Sequence, residues 1–311
     1  MTAVLLSLAP LAFGQTLTTG DVSGVITDST GAVVPGATVT IKSVDTNELR
    51  TTVSGDSGQY RLSLLRPGEY TISAQTAALK SNTSRFAVSV GQEQNLNLTV
   101  AVQSTQEVVM VTAEAPIIET ENANLSTSVS TQQIVNLPMN GGDLTTVAFT
   151  VPGIRMNVGG GNGNFNANGI PLTGVLFTIN GADVMDPYNN LNNSGASNNL
   201  LGANEVAEAA VIINAFSPQY GRMAGGQVNL VGKSGTNAFH GNAVYNYNDA
   251  IFNAASFFGN ATRTPKGRSV ANLYAASVGG PIRKNKTFFF VDTEALRYAL
   301  PTTGTVTVPT P

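Results

Sequence analysis

The run Thr287-Phe288-Phe289-Phe290-Val291-Asp292-Thr293-Glu294-Ala295 alternates along its length. Asp292 and Glu294 fall on one face, and Phe289, Val291, Thr293 and Ala295 fall on the other. Successive side chains of a β-strand point to opposite faces, so this strand carries carboxylates on one side and apolar groups on the other. Two earlier runs behave alike. From Phe239 to Asp249, Ala243, Tyr245 and Tyr247 share one face while Asn242, Asn246 and Asn248 share the other. Ala271-Asn272-Leu273-Tyr274-Ala275-Ala276-Ser277-Val278-Gly279-Gly280 is the second run. Pro281-Ile282-Arg283-Lys284-Asn285-Lys286 is expected to turn it into the third. Strands of about ten residues with one apolar face, one polar face and aromatic ends suit a membrane-spanning barrel. A soluble antiparallel sheet alternates in the same way, so the pattern by itself leaves both open.

Composition narrows the classes. Of 311 residues only 11% are charged while 42% are hydrophobic, against about 25% charged in ordinary globular chains. Disordered chains are charge-rich and apolar-poor, which argues against wholesale disorder. The net charge of −3 offers no basic field for nucleic acid. With no Cys and one His, thiol nucleophiles, disulfides, Cys-based zinc or iron–sulfur sites and His-rich metal clusters are excluded. No cofactor is expected, and no metal site.

Val4-Leu5-Leu6-Ser7-Leu8-Ala9-Pro10-Leu11-Ala12-Phe13 reads as the apolar core of an export signal, with small residues before a cleavage point at Gln15. Residues 1–14 are thus assigned as a signal peptide. Only Met1 and Thr2 precede the run, so its basic leader is missing and the true start is expected upstream or at another Met. A frayed apolar terminus is the plainer alternative. The run is shorter than the about 20 apolar residues a spanning helix needs.

Residues 20–102 read as a β-sandwich, with period-two runs broken by turn residues. Val22-Ser23-Gly24-Val25-Ile26-Thr27 is a strand ended by Asp28-Ser29-Thr30-Gly31, and Pro35-Gly36 makes a second turn into Ala37-Thr38-Val39-Thr40-Ile41. In Gln59-Tyr60-Arg61-Leu62-Ser63-Leu64, alternation places Tyr60, Leu62 and Leu64 on one face. Pro67-Gly68 leads into Glu69-Tyr70-Thr71-Ile72-Ser73-Ala74, and Leu96-Asn97-Leu98-Thr99-Val100 completes the sheet. Tyr60 and Tyr70 are expected in the core rather than on a sugar-binding platform. The spacing of Gly24, Asp28, Gly31, Pro35-Gly36-Ala37, Asp56, Gly58, Tyr60, Leu62, Leu65, Pro67-Gly68 and Tyr70 resembles the carboxypeptidase regulatory-like domain, a prealbumin-like sandwich that is not itself a peptidase. Its glycines fit turns that need positive φ.

Glu107-Val108-Val109-Met110-Val111-Thr112-Ala113 is a β-branched strand between polar flanks. Such a strand can add to a partner's sheet edge through main-chain hydrogen bonds. It resembles the TonB box of TonB-dependent outer-membrane receptors, and residues 103–118 are assigned as the linker that carries it. Residues 119–235 are assigned as the plug of such a receptor. There Val129-Ser130-Thr131-Gln132-Gln133-Ile134-Val135-Asn136-Leu137-Pro138 reads as strand end, capped helix and stop. Asp143-Leu144-Thr145-Thr146-Val147-Ala148-Phe149 reads as a second helix, ended before Val151-Pro152-Gly153-Ile154. Phe177-Thr178-Ile179-Asn180-Gly181-Ala182-Asp183-Val184 reads as an Asn-Gly hairpin. Glu205-Val206-Ala207-Glu208-Ala209-Ala210-Val211-Ile212-Ile213 is a strand, followed by Gln219-Tyr220-Gly221-Arg222, Ala224-Gly225-Gly226 and Gln227-Val228-Asn229-Leu230-Val231-Gly232. That order resembles the plug domain. Gly232-Lys233-Ser234 mimics the end of a phosphate-binding loop, but Gln227 stands where that motif needs Gly.

Between Asn157 and Asn204 the only charges are Asp183 and Asp186, among many Asn and Gly. Such loops serve either to fill a polar lumen without unpaired charge or to bind a polar ligand, for which Asp183, Asp186, Tyr188 and Asn189 are the candidates. Lys233-Ser234-Gly235-Thr236-Asn237, Phe239-His240-Gly241 and the 279–291 run resemble the Oar-like subgroup of TonB-dependent receptors. His240 is read as a lumen or interface residue.

The expected fold is therefore mainly β and multidomain: a prealbumin-like β-sandwich, an α+β plug, and from 236 to 311 the first strands of a transmembrane β-barrel. About three strands cannot close a barrel, which starts at eight, so the chain is expected to be the N-terminal fragment of a longer protein. The resemblance implies an outer-membrane receptor and transporter, not an enzyme, with the sandwich in the periplasm. It would take a large or scarce substrate and be energised by TonB and its inner-membrane complex. Implied partners are outer-membrane lipid and an extracellular polar ligand, whether saccharide, peptide or chelate. A surface adhesion or carbohydrate-binding protein acting through the sandwich is the alternative.

Overall fold

The computed structural model describes residues 18–102, 111–112, 125–136, 148, 150–156, 165–171, 174–185, 204–214, 225–255, 257–263 and 266–299. They form two compact units: residues up to 200 together with Val206–Gly232, and Leu201–Glu205 together with Lys233–Pro311.

The first unit begins with β1 (Gly20–Asp28), β2 (Thr38–Ser43), β3 (Leu49–Val53), β4 (Gln59–Leu65), β5 (Gly68–Gln75), β6 (Leu79–Ser81), β7 (Ser84–Val88), β8 (Glu93–Asn95) and β9 (Leu98–Val102). A two-residue strand, β10 (Val111–Thr112), follows. One run of pairings is β3-β2-β5-β7-β10. In the other, β1 pairs antiparallel with β4 and parallel with β8 and then β9, which continues to β6. Val22, Ile26, Val39, Ile41, Tyr60, Leu62, Leu65, Ile72, Phe86, Leu98 and Val100 interlock as one apolar cluster. Period-two burial along β1 and β5 matches the sequence reading. Tyr60 and Tyr70 are core residues: the Tyr60 hydroxyl donates to the Leu96 carbonyl at 2.6 Å and the Tyr70 hydroxyl to the Arg66 carbonyl at 3.0 Å.

Two details depart from simple alternation. Leu64 is not on the face of Tyr60 and Leu62. It adopts φ +62 and is 37% exposed, whereas Leu65 is 1% exposed and takes the core position. The extra residue is a bulge, opposite the register shift between Gly20 and Val22. Three hydrogen bonds to two side chains of other strands hold it. The Arg50 guanidinium donates to the carbonyls of Ser63 and Leu64 at 3.1 and 2.9 Å, and the Leu64 N–H donates to Asp21 at 3.1 Å. The second departure is Gly24, whose φ is not positive. Its missing side chain is required by close approach instead, since a Cβ there would lie 2.0 Å from the Leu96 carbonyl oxygen.

The stretch read from the sequence as a plug, 119–235, contains its own mixed sheet in the order β11-β17-β18-β15-β16. β11 (Leu125–Ser130) runs into α1 (Thr131–Asn136), whose start is a reciprocal cap: the Ser130 N–H donates to Gln133 Oε1 at 2.9 Å, and the Gln133 N–H to Ser130 Oγ at 3.4 Å. A small three-stranded sheet follows, β12 (Ile154–Met156), β13 (Phe165–Ala167) and β14 (Ile170–Pro171). β15 (Val175–Ile179) and β16 (Ala182–Asp183) make the expected hairpin, with Asn180 and Gly181 both at positive φ as a tight primed turn demands. β17 (Val206–Asn214) and β18 (Gly226–Gly232) complete the sheet, β18 being parallel to β15 and antiparallel to β17. The second helix read over 143–149 lies outside the described residues apart from Ala148, as do residues 219–222 and 224.

Sandwich and plug sheet meet within this unit. Val90 packs on Ala210, Ile212 and Val231. Beside it the Glu208 carboxylate, 6% exposed, accepts from the Ser128 hydroxyl, the Val90 N–H and the Ser89 hydroxyl. Burial raises its pKa and those hydrogen bonds pull it back, as expected when a buried charge is held by donors rather than by a counter-ion.

The second unit is an antiparallel sheet of β19 (His240–Asp249), β20 (Val270–Arg283) and β21 (Thr287–Ala299), with α2 (Phe257–Ala261) in the β19–β20 connection. Pro281 does not begin the turn. It remains in β20 opposite Phe288, next to a register shift between Pro281 and Arg283, which is where a strand tolerates a residue without N–H. The turn is Lys284-Asn285-Lys286, with Asn285 at φ +62.

The bulge makes a direct test of the sandwich. Leu65→Ala should destabilise it by about 2–4 kcal/mol through the cavity left behind. Leu64→Gly should leave stability unchanged or raise it by up to about 1 kcal/mol, because glycine accepts the left-handed φ without cost. Urea unfolding followed by hydrogen exchange of the sandwich peptides separates the two. Equal losses would mean that Leu64, too, is a core residue.

Candidate functional site

Of the seven residues read as a docking strand, Val111 and Thr112 are described, and they form β10. They pair in parallel with the sandwich edge: Val111 opposite Ser84 and Thr112 opposite Arg85. Glu107, Val108, Val109, Met110 and Ala113 lie outside the described residues. In the order of that sheet β10 is the terminal strand. The sequence assigns this strand to TonB and gives it no partner within the chain, and Ser84–Val88, whose burial alternates, is not among the strands read from it.

Among the plug-loop candidates, Asp183 is described, and it is exposed on β16. Its carboxylate accepts the Met185 N–H at 2.8 Å, a turn-fixing bond next to the Asn-Gly hairpin. Asp186, Tyr188 and Asn189 lie outside the described residues, so the four are not brought together by the structure. The buried face of the plug sheet is polar where β15 meets β18: the Thr178 hydroxyl donates to Asn229 Oδ1 at 2.6 Å, both residues being almost wholly buried.

In the three-stranded sheet the register sorts every side chain. Directly paired residues share a face, so Asn242-Ser277-Asp292 form one cross-strand row and Val244-Ala275-Glu294 the next. Ala243-Ala276-Thr293 and Tyr245-Tyr274-Ala295 are the corresponding rows of the opposite face. The polarity is the reverse of a soluble sheet with a dry core. Asp292 and Glu294 are half-buried, whereas Val291 on the other face is 59% exposed and the stacked rings of Tyr245 and Tyr274, centroids 5.0 Å apart, are about as open. Exposed Val, Ala and Tyr opposite partly sheltered Ser and carboxylate is the sorting lipid favours in a barrel strand, although Val244, Leu273 and Leu296 share the carboxylate face and Asn272 and Arg297 the tyrosine face.

The inward carboxylates gather a cluster within this unit. Asn204 is buried and its side-chain amide donates to Asp292 Oδ1 at 2.6 Å. Glu205 lies beside Asp292, and burial first, then the hydrogen bond and charge of Asp292 and the charge of Glu294, push the Glu205 carboxyl up to about 7. The Lys233 N–H donates to the Glu205 carbonyl at 2.7 Å, and burial lowers the pKa of its ammonium. The sequence reading placed Asp292 and Glu294 on one face but missed Asn204 and Glu205, which precede β17 and are some ninety positions away along the chain. Nothing local announces that approach.

His240 stands at the start of the first of these strands, as expected. Its Nδ1 lies 3.3 Å from the Thr236 hydroxyl and 3.1 Å from the Ala238 carbonyl, and its ring stacks on Phe290 at 6.2 Å. Those contacts fix a strand end. Gly232 ends β18 and Lys233-Ser234 follow it outside any helix, whereas a phosphate loop needs one. Among the described residues no group of three or more metal-ligating side chains occurs, and no helix is long and apolar enough to cross a membrane.

Linkage turns the Glu205 environment into a measurement. A carboxyl whose folded pKa exceeds its unfolded value binds more protons in the folded state between those two values. The stability it adds is therefore complete below about pH 4.5 and is lost as pH rises through about 7. Glu205→Gln should melt at the same temperature as the parent at pH 5 and at a higher one at pH 8. A gap that is constant with pH would show that Glu205 is not perturbed.

Comparison with known proteins agrees with this architecture. A family model described as an outer membrane beta barrel domain matches residues 231–311, and one described as a carboxypeptidase regulatory-like domain matches residues 21–101. The TonB-dependent transporter Oar of Myxococcus xanthus is 25% identical over 265 residues, covering 81% of this chain and 24% of that protein. The chain thus spans about a quarter of the length of that curated relative. Among solved structures, the siderophore receptor PirA from Acinetobacter baumannii aligns with a TM-score of 0.42 at 18% identity, over 55% of this chain and 24% of its own. A mutant of the ferric enterobactin receptor PfeA from Pseudomonas aeruginosa aligns over the same shares with a TM-score of 0.40 at 18% identity. The chain is thus similar over most of its length to the Oar TonB-dependent transporter, with a carboxypeptidase regulatory-like match near its start and an outer membrane beta barrel match over 231–311.

Proposed function

We propose that this chain is the front of an outer-membrane receptor that moves a large or scarce polar ligand across the outer membrane, with work supplied by TonB. The observation that carries the reading is the inverted polarity of the β19-β20-β21 sheet. On one face Val278, Val291, Tyr245 and Tyr274 are exposed, while on the other Ser277, Asp292 and Glu294 are partly sheltered. Water does not favour that distribution, whereas hydrocarbon does.

The parts take the following roles. The barrel strands lie in outer-membrane lipid and the sandwich lies in the periplasm. The mixed sheet is the plug, and its uncharged Asn- and Gly-rich loops, with Asp183, Asp186, Tyr188 and Asn189, face the ligand. The segment Glu107, Val108, Val109, Met110, Val111, Thr112, Ala113 pairs with TonB by strand addition. The inner-membrane complex then draws on that strand and rearranges the plug. No bond of the ligand is made or broken, so the chain needs no nucleophile and no cofactor. The adhesion alternative has less support, because the two tyrosines of a candidate sugar platform, Tyr60 and Tyr70, are buried.

Two measurements test the reading. In the source cell, an antibody against the sandwich should detect a heat-modifiable outer-membrane band. A soluble band would favour the adhesion reading. Val109→Pro removes one ladder N–H and imposes a fixed φ. It should lower capture of the chain by the purified C-terminal domain of TonB by about tenfold or more, since each main-chain hydrogen bond lost without a partner costs about 1–3 kcal/mol. Undiminished capture would remove coupling through this segment.

A further inference from the structure

We infer that the sandwich is the platform on which the coupling segment is presented, its edge strand β7 being the seat and β10 the strand it holds. The inference rests on the docking reading above. Strand addition requires a partner that is already extended and lies at an open sheet edge. A free peptide meets neither condition and must spend ordering entropy on binding.

The pairings supply both conditions. β7 is zipped to β5 along one side, from Gly68 opposite Val88 to Ile72 opposite Ser84. Its other side would be a bare edge, a liability that proteins cover or charge. Here Arg85 charges it, paired to Glu69 at 2.9 Å, and β10 covers it, with Val111 opposite Ser84 and Thr112 opposite Arg85. The edge strand of the sandwich sheet thereby becomes β10, so an added strand continues the order β3-β2-β5-β7-β10 by one. Val102, the end of β9, and Val111 are nine positions apart. That short tether keeps the segment at millimolar effective concentration beside its seat. A two-residue ladder is weak enough to release under load and strong enough, with that tether, to stay formed at rest.

The contrary arrangement uses the same contact to opposite effect: the sandwich would sequester the segment and compete with TonB. Sheet order favours presentation, because pairing with β7 occupies one edge of β10 and leaves the other as the terminal edge of the sheet.

The chain has no Cys, which makes the experiment simple. In the full chain, Ser84→Cys with Val111→Cys creates a single possible intramolecular disulfide. Cα partners across neighbouring strands lie about 4.8 Å apart, within disulfide reach. Thr51→Cys with Val111→Cys is the control, since β3 is four strand spacings from β10, about 19 Å. The 84/111 pair should oxidise quantitatively and the control should not. Binding of the purified C-terminal domain of TonB is then compared in the oxidised and reduced forms of the same 84/111 protein, which removes misfolding as an explanation. Presentation predicts that the locked form binds equally or up to about fivefold more tightly, ordering entropy having been spent beforehand. No cross-linking above the control overturns the inference, because the seat is then not occupied. Cross-linking with tenfold or greater loss of binding overturns it in favour of sequestration. Cross-linking with no binding in either form defeats the docking reading itself, and presentation falls with it.

Discussion

A peptide group in hydrocarbon has no water to bond with, and each unpaired N–H or carbonyl there costs several kcal/mol. Strands that enter a bilayer must therefore pair along both edges, while their side chains sort by solvent. Several cross-strand rows of the second unit follow the side-chain half of that rule. Rows such as Ala243-Ala276-Thr293 and Tyr245-Tyr274-Ala295 lie outward, and Asn242-Ser277-Asp292 lies inward. The inward carboxylates are then in a confined space, and their neighbours are accordingly a buried amide, Asn204, and a lysine, Lys233. The sheltered acid cluster follows from the outward apolar face.

The same economy of charge governs the first unit. With only 11% charged residues, the buried polar groups there rely on neutral hydrogen-bond partners rather than on counter-ions. Glu208 accepts from Ser128 and from the 89–90 turn of the sandwich, and the Thr178 hydroxyl donates to Asn229 Oδ1. Glu208 does two structural things at once. It stitches β11, which carries Ser128, to β17, and it ties the sandwich to the plug sheet beside the Val90 contact. Truncating it would leave the Ser128 hydroxyl and the Val90 N–H without that acceptor, which is why a buried carboxylate can be retained there despite its desolvation cost.

Much of this was legible from spacing. Asn180-Gly181 identified the hairpin, Ser130-Thr131-Gln132-Gln133 the capped helix, and alternation the three long strands, because each is a local signal with a local physical cause. What escaped was decided at a distance. Leu64 leaves the core only because Arg50 and Asp21, from two other strands, satisfy a bulge whose left-handed φ a leucine would otherwise avoid. Pro281 was read as a turn because proline lacks an N–H, yet a register shift allows it to stay within β20. Short strands such as β6 and β8 are too brief to show a period. Asn204 and Glu205 join the Asp292 cluster across a separation that no motif encodes.

Under the proposed coupling, the order in which these contacts would yield follows from their sizes. A pull on the 107–113 segment loads the two-residue β10–β7 ladder directly. Next along the chain is β11, the edge strand of the plug sheet, which is held to β17 by a six-residue register with a shift at its first position, between Leu125 and Ser126. Beyond it lie β17, β18 and β15, whose described residues are almost all buried. An edge strand can be peeled one pair at a time, whereas a central strand loses both ladders and its packing together. Load would therefore unzip β11 from its Leu125 end before it disturbed the sheet interior. The peel would meet its main resistance at Ser128, where the hydroxyl is bonded to buried Glu208.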